Sequence, residues 1–185
     1  MKKLLKIVLI PFVFIILQAY CMNASEQKII DARSISPVLS ADDDQAFLNA
    51  FQGGLNLYQV NAVGDNLLHQ AVRFQAVKCI KLLLEKETSS FYASHNSQQD
   101  SLLVNEVNFK GQTPLWIATK QKKYILLKSL LAAGADVNQA DNNGWTSLHE
   151  IVDNDYEHYE KTIPLLLSCG ASVDQVDQKG VSPLV

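Results

Sequence analysis

Residues 111–144 read GQTPLWIATKQKKYILLKSLLAAGADVNQADNNG, and this stretch decides the fold. Thr113 followed by Pro114 starts a helix, because the hydroxyl caps free amides and proline fits the first helical position without losing a bond. Leu115 and Ala118 then share one face. A second helix follows, with Ile125, Leu126, Leu127, Leu130 and Leu131 at helical period. Gly134 ends it, since glycine accepts the left-handed conformation of a helix stop. An extended stretch and an Asn-Gly turn close the unit.

The same pattern recurs along the chain. Gly64, Gly111, Gly144 and Gly180 serve as anchors, spaced 47, 33 and 36 residues apart. Four positions after them stand Leu68, Leu115, Leu148 and Leu184. Seven before stand Leu57, Val104, Val137 and Val173. Agreement at several offsets marks a true repeat.

The motifs TPLWIA, LLAAGADVNQAD and NNGWTSLHEIV resemble the ankyrin repeat in order and spacing. The resemblance covers about Asp42 to Val185. It implies an all-α solenoid of about three helix-turn-helix repeats, with an N-terminal half-cap and an incomplete C-terminal repeat. We place the half-cap at 42–60, the repeats at about 61–107, 108–140 and 141–176, and the partial unit at 177–185. Phe47, Leu48 and Phe51 give the half-cap its apolar side.

The departures carry information. The first repeat has Asn66-Leu67 where Thr-Pro is usual, and 14 extra residues within ETSSFYASHNSQQDSLL, read as a surface loop. Lengthening a loop costs only about 0.6 kcal/mol per doubling. The third repeat has three extra residues around Asp153 to Thr162. Pro164 lacks an amide to donate, so its second helix is expected to start near Thr162. KGVSPLV opens a fourth unit and stops at its first turn, so the third repeat's apolar face is expected to be partly uncovered. A longer natural product, a truncated gene and a covering partner are all open.

Residues 1–24 differ in kind. Lys2, Lys3 and Lys6 precede an apolar run from Ile7 to Leu17, with small residues at Ala19 and Ala24. Eleven apolar residues fall short of the roughly 20 that span a membrane. The segment reads as a secretory signal peptide, cut after Ala19, Cys21 or Ala24. An uncleaved anchor is the alternative. Lipid attachment at Cys21 fits poorly, because bulky Tyr20 precedes it. Residues 25–41 read as a linker. Export into an oxidising compartment raises the question of disulfides. Cys79 and Cys169 fall two repeats apart, too far to bridge, and both read as buried thiols.

Chemistry finds little support. His69 and His149 share one repeat position, which favours a packing or hydrogen-bonding role. His149-Glu150 lacks the second histidine of a metalloprotease motif, since Asp153 stands there. His158 lies in a charged loop and His95 in the serine-rich insertion. No G-x-S-x-G elbow or phosphate-binding glycine loop occurs. No catalytic residue, metal or cofactor is expected. The net charge of −3 and the scattered basic residues argue against a nucleic-acid partner.

The ankyrin resemblance implies a partner protein bound on the concave side, built from turn tips and first helices. Carried onto this chain, it points to Phe109, Lys110, Gln112, Lys120, Asn142, Asn143, Trp145, Asp153 and Asn154. Asp65, Gln178, Lys179, Val181, Arg73, Phe74 and Gln121 hold comparable places. Phe109 and Trp145 are either interface anchors or packed on a neighbouring tip. Trp116, at the family's histidine position, reads as packing. Lys120, Lys122 and Lys123 form a small positive patch, read as a solvated edge. The expected function is an exported protein-interaction module without catalysis, of a bacterial envelope or secreted type. The alternatives are a periplasmic inhibitor or immunity-type protein, and the recognition part of a truncated larger enzyme or effector.

Overall fold

The computed structural model describes residues 32–52, 55–57, 59–88, 103–153 and 159–183. Within them lie eight α-helices and a single 3₁₀ turn, Leu103–Asn105, with no strand. The helices come in consecutive pairs: α1 (Ala32–Ala41) with α2 (Asp44–Gln52), α3 (Leu67–Phe74) with α4 (Val77–Thr88), α5 (Pro114–Lys120) with α6 (Tyr124–Ala132), and α7 (Ser147–Asp153) with α8 (Tyr159–Ser168). First helices pack on first helices, α1 on α3 on α5 on α7. Second helices do the same in a second layer, α2 on α4 on α6 on α8. This is a two-layer helical solenoid, as the repeat pattern implies.

The anchors explain the core. Leu68, Leu115 and Leu148 are almost wholly buried, and so are Leu57, Val104 and Val137 seven residues before each anchor. Leu184 lies outside the described residues. Thr113 caps α5 as its residue type requires, its hydroxyl accepting the Trp116 amide at 3.1 Å. At the end of α6, the Ala135 amide donates to the Leu130 carbonyl as the chain leaves through Gly134. At two successive joints an asparagine then ties one unit to the next. Asn105 donates to the Gly134 carbonyl at 3.2 Å and accepts the Asp136 amide at 2.7 Å. Asn138 repeats this with the Gly170 carbonyl and the Ser172 amide, at 3.0 and 2.8 Å.

The structure corrects two boundaries. Residues 32–41, expected in a linker, form α1, so the N-terminal unit is a helix pair where a half-cap was expected. Ile35, Val38 and Leu39 occupy one helical face and are buried against α3. Pro37 stands on the exposed side, where its missing bond leaves a carbonyl within reach of water. The acidic run that follows is a pair of caps: Asp43 accepts the Ala46 amide at the start of α2. Asp42 reaches across to accept the Lys78 and Cys79 amides at 2.9 and 3.2 Å, capping α4.

The second boundary is α8, which begins at Tyr159, before the expected Thr162, and carries Pro164 inside it. Pro164 is exposed and forgoes only the bond to the Glu160 carbonyl, while Leu166 on the opposite side is fully buried and holds the helix down. The inserted loop of the first repeat (89–102), residues 154–158 and the signal and anchor readings of residues 1–24 lie outside the described residues.

Cys79 and Cys169, the two cysteines among the described residues, are free. Cys79 is buried as expected, and burial followed by the nearby Asp42 pushes its thiol up to about 12, so it stays protonated. Cys169 is exposed, contrary to expectation, because it follows the last turn of α8, beyond the helix's buried face.

Candidate functional site

Four turn tips follow one another along the edge of the stack, each ending on an anchor glycine. Every tip is built by the residue three positions before that glycine, Asn61, Asn108, Asp141 or Asp177. In all four its side-chain Oδ1 accepts two backbone amides, one before and one after the glycine. The pairs are Val63 and Asp65, Lys110 and Gln112, Asn143 and Trp145, and Lys179 and Val181, all at 2.8–3.1 Å. Its own backbone amide donates to the carbonyl of the residue after the glycine. Asparagine and aspartate are suited to this because a short side-chain oxygen closes the turn locally. This series was missed in the sequence, although the run of Asn and Asp at one offset was visible there.

The tips are also joined to one another in one register. The Phe109 amide donates to the Val63 carbonyl at 3.2 Å, Asn142 to Lys110 at 2.9 Å, and Gln178 to Asn143 at 3.0 Å. Side chains reinforce the joints: Asn142 donates to the Phe109 carbonyl and Gln178 to the Asn142 carbonyl.

Of the nine residues singled out by sequence, this arrangement brings six onto the row of tips. Phe109 is 69% exposed, with its ring edge lying over Gly64. Lys110, Asn142 and Asn143 are exposed, and Gln112 is half-buried. Trp145 is half-buried and committed to its neighbours. Its indole N–H donates to Asp177 at 3.0 Å and its ring stacks on His149, with centroids 6.2 Å apart. Of the two readings of this tryptophan, packing on the adjacent tip is the one seen. The Val181 amide and the Trp145 indole hold the Asp177 carboxyl below the usual range, against the opposing effect of burial.

Lys120 lies beside the row at the end of α5. Its ammonium sits 4.9 Å over the ring of Trp116, itself buried as a packing residue, and 3.4 Å from buried Glu150. Asp153 ends α7, with its side chain outside the described residues, as is the whole of Asn154. Arg73, in the place equivalent to Lys120, pairs with Asp65 at 2.6 Å. Burial alone would raise the Asp65 carboxyl, but hydrogen bonds from Arg73 and Asn108 and the guanidinium charge outweigh it and hold it low.

The two repeat-equivalent histidines bridge neighbouring repeats. His149 Nε2 lies 3.2 Å from the Val181 carbonyl, and its Nδ1 is 2.9 Å from the Thr146 hydroxyl, which can donate to it. His69 Nε2 likewise meets the Gln112 carbonyl at 2.9 Å. Its Nδ1, however, faces the Asn66 Oδ1 at 2.7 Å, while the Asn66 amide nitrogen is buried without a partner. Burial keeps His69 neutral, lowering its pKa against the pull of the Gln112 carbonyl and Asp65. A neutral ring that donates through Nε2 has only a lone pair at Nδ1, so two acceptors oppose one another.

Threonine would remove that conflict. Asn66 has the same extended backbone as Thr113, so the cap on the His69 amide would survive. Asn66→Thr is therefore expected to stabilise the protein by about 1 kcal/mol, read as a higher urea midpoint. A lowered midpoint would contradict the account of this site. Among the described residues, no group of three His, Cys, Asp or Glu is placed to hold a metal ion. His95 and His158 lie outside them.

Paired helices, locked tips and inter-repeat histidine bridges define an ankyrin-repeat solenoid, and repeats of this kind make a protein-interaction module. Residues 90–177 match the family model for ankyrin repeats, in 3 copies. The chain is 30% identical over 105 residues, 57% of its length, to glycerophosphocholine phosphodiesterase gde1 of Schizosaccharomyces pombe. It is 29% identical over 134 residues, 72% of its length, to the nuclear factor NF-kappa-B p105 subunit of Gallus gallus. It is 25% identical over 189 aligned positions, 88% of its length, to an L-asparaginase of Dirofilaria immitis. These matches span 8%, 12% and 31% of the three relatives. The first tip, 61–65, lies before the family match, yet its hydrogen bonds are those of the later ones.

Proposed function

We propose that this chain is an exported protein-interaction module with no catalysis of its own, binding its partner along the row of tips and the adjoining ends of the first helices. One observation carries the reading. The Asn and Asp side chains that build the tips are turned onto backbone amides, while Phe109, Lys110 and Lys179 are left outward on a rigid frame. A preorganised surface loses little conformational freedom on binding. Phe109, with its greater exposure, replaces Trp145 as the aromatic anchor.

The lysine-led apolar start of the sequence supports export. The test is a pull-down from envelope extract with the full chain. Phe109→Ala combined with Lys110→Glu should lower recovery of the captured protein at least tenfold, with the thermal melt unchanged. Undiminished recovery would refute the tip surface. Accumulation of uncut chain in the cytoplasm would refute export.

A second reading is the recognition part of a longer enzyme, favoured by the partial likeness to a phosphodiesterase and an asparaginase. An open coding frame continuing past Val185 into a further domain would support it, and a stop codon there would remove it.

A further inference from the structure

The residue just before each anchor glycine differs between tips: it is Val63, Lys110, Asn143 or Lys179. Asn143-Gly144 is the only Asn-Gly pair in the sequence, and such a pair has a chemistry of its own. The backbone nitrogen that follows an asparagine can attack its carboxamide carbon. Glycine has no Cβ to shield that nitrogen, and its backbone turns freely. Asn143 is exposed, so water has access to the product.

In the folded tip the reacting groups are committed elsewhere. The Gly144 amide donates to the Asp141 carbonyl at 2.9 Å, which closes the turn. The Asn143 carboxamide is held on the same residue, its Nδ2 donating to Asp141 Oδ2 at 3.4 Å. The Asn143 backbone amide donates to Asp141 Oδ1 at 2.8 Å, and the Asn143 carbonyl accepts the Gln178 amide at 3.0 Å. Three of these four bonds end on Asp141, so one residue governs whether nitrogen and carboxamide are released.

Conversion at this place would not be silent. An aspartate at 143 sets a second carboxylate beside Asp141, where the carboxamide now donates. An isoaspartate adds a methylene to the main chain inside a turn without slack. A Cβ on Gly144 would already lie 2.9 Å from the Asp177 Cα and from the Gln178 nitrogen. The strain falls on the bond from Gln178 to the Asn143 carbonyl, which joins the third tip to the fourth.

We propose that Asn143 is a site of spontaneous deamidation, gated by Asp141 and the closed third tip, and that its conversion unlatches the fourth tip. In the first step the Gly144 nitrogen bonds to Asn143 Cγ and gives up its proton. The Cγ–Nδ2 bond breaks and ammonia leaves with that proton, so the product is a succinimide. Water then opens the ring, its hydroxyl going to a carbonyl carbon and its proton to the nitrogen. Opening at Cγ gives aspartate, and opening at the backbone carbonyl gives isoaspartate. The other three tips have no carboxamide at this position and cannot react in this way.

The test keeps the full-length chain at neutral pH, folded or in guanidinium, and follows Asn143 by peptide mapping with mass spectrometry. Conversion should be at least tenfold slower in the folded chain and should yield isoaspartate together with aspartate. Asp141→Ala, which releases both reacting groups, should speed conversion of the folded chain at least tenfold. Asp141→Asn should keep the slow rate, since Asn61 and Asn108 supply the same acceptor in their own tips. A second measurement covers the case in which Asp141→Ala does not fold. In the unaltered chain, urea added below the unfolding midpoint should raise conversion in step with hydrogen exchange of the Gly144 amide. Converted chain, separated by ion exchange, should show at least tenfold faster exchange of the Gln178 amide. Equal rates folded and unfolded, or aspartate without isoaspartate, would overturn the proposal. So would conversion independent of Gly144 exchange, a folded Asp141→Ala no faster than Asp141→Asn, or unchanged Gln178 exchange after conversion.

Discussion

Gly111→Val should destabilise the array by about 4 kcal/mol, a left-handed strain of roughly 1–2 added to an overpacking cost of roughly 1–3. Gly134→Ala, at a similar backbone angle, should cost only about 1 kcal/mol. The two glycines have φ of 74° and 87°, so the strain of placing an L-residue there is comparable. Their surroundings differ. A Cβ at Gly111 would meet the Asn142 side-chain oxygen and lie 2.6 Å from the Asn142 backbone nitrogen, which belongs to the next tip. The nitrogen cannot retreat without breaking the bond from the Asn142 amide to the Lys110 carbonyl, nor the side chain without disturbing its own bond to the Phe109 carbonyl. A Cβ at Gly134 meets nothing within 4 Å. Urea unfolding followed by circular dichroism compares the two substitutions. Equal losses would mean that backbone angle alone, and not contact between tips, selects glycine at the anchor.

That contrast shows why the repeat could be read from residues. A glycine required by both angle and contact recurs wherever the contact recurs, and the leucines four positions on recur because each fills the same space between layers. The Asn and Asp residues that build the tips left an equally regular trace, but two residue types share the role, and a comparison based on glycine and apolar positions passes over them. Helix α1 was hidden for another reason. Among its described side chains the buried face is Ile35, Val38 and Leu39, while Pro37 and the serines around it read as a linker until α3 is there to pack against. Propensity lost to tertiary contact at Pro164 as well, where Leu166 anchors α8 on its other side. The candidate surface was legible in position and not in exposure. Repeat register placed Trp145 and Phe109 on the tips, but only the neighbouring Asp177 and His149 show why one is held in the stack and the other is not.

Asn108 is where the tip, the inter-repeat joint and the buried charge meet, and its substitution should be among the most damaging. Its Oδ1 accepts the Lys110 and Gln112 amides at 3.0 and 3.1 Å, and its Nδ2 donates to the buried Asp65 at 2.8 Å. Asn108→Ala strands two amides and removes a donor from a carboxylate, so a loss of about 3 kcal/mol is expected. Asn108→Asp is the more informative change. It keeps the turn acceptor, as Asp141 and Asp177 do in their own tips, but sets a second carboxylate against Asp65. In the unaltered protein the Asp65 carboxyl is held low. Its contribution is therefore full above the ordinary carboxylate range and lost only as pH falls through its folded value. His69 acts in the same sense, since its lowered pKa removes stability as pH falls below the unperturbed 6.5. The introduced pair behaves oppositely: two adjacent carboxylates cannot both ionise without cost, so one takes up a proton more readily folded than unfolded. The deficit of Asn108→Asp relative to the unaltered protein should thus shrink between pH 7 and pH 5, while that of Asn108→Ala should not. Urea midpoints of all three proteins at both pH values decide it, and an aspartate deficit that stays constant or widens on acidification would show that Asp65 does not face residue 108 as an ionised partner.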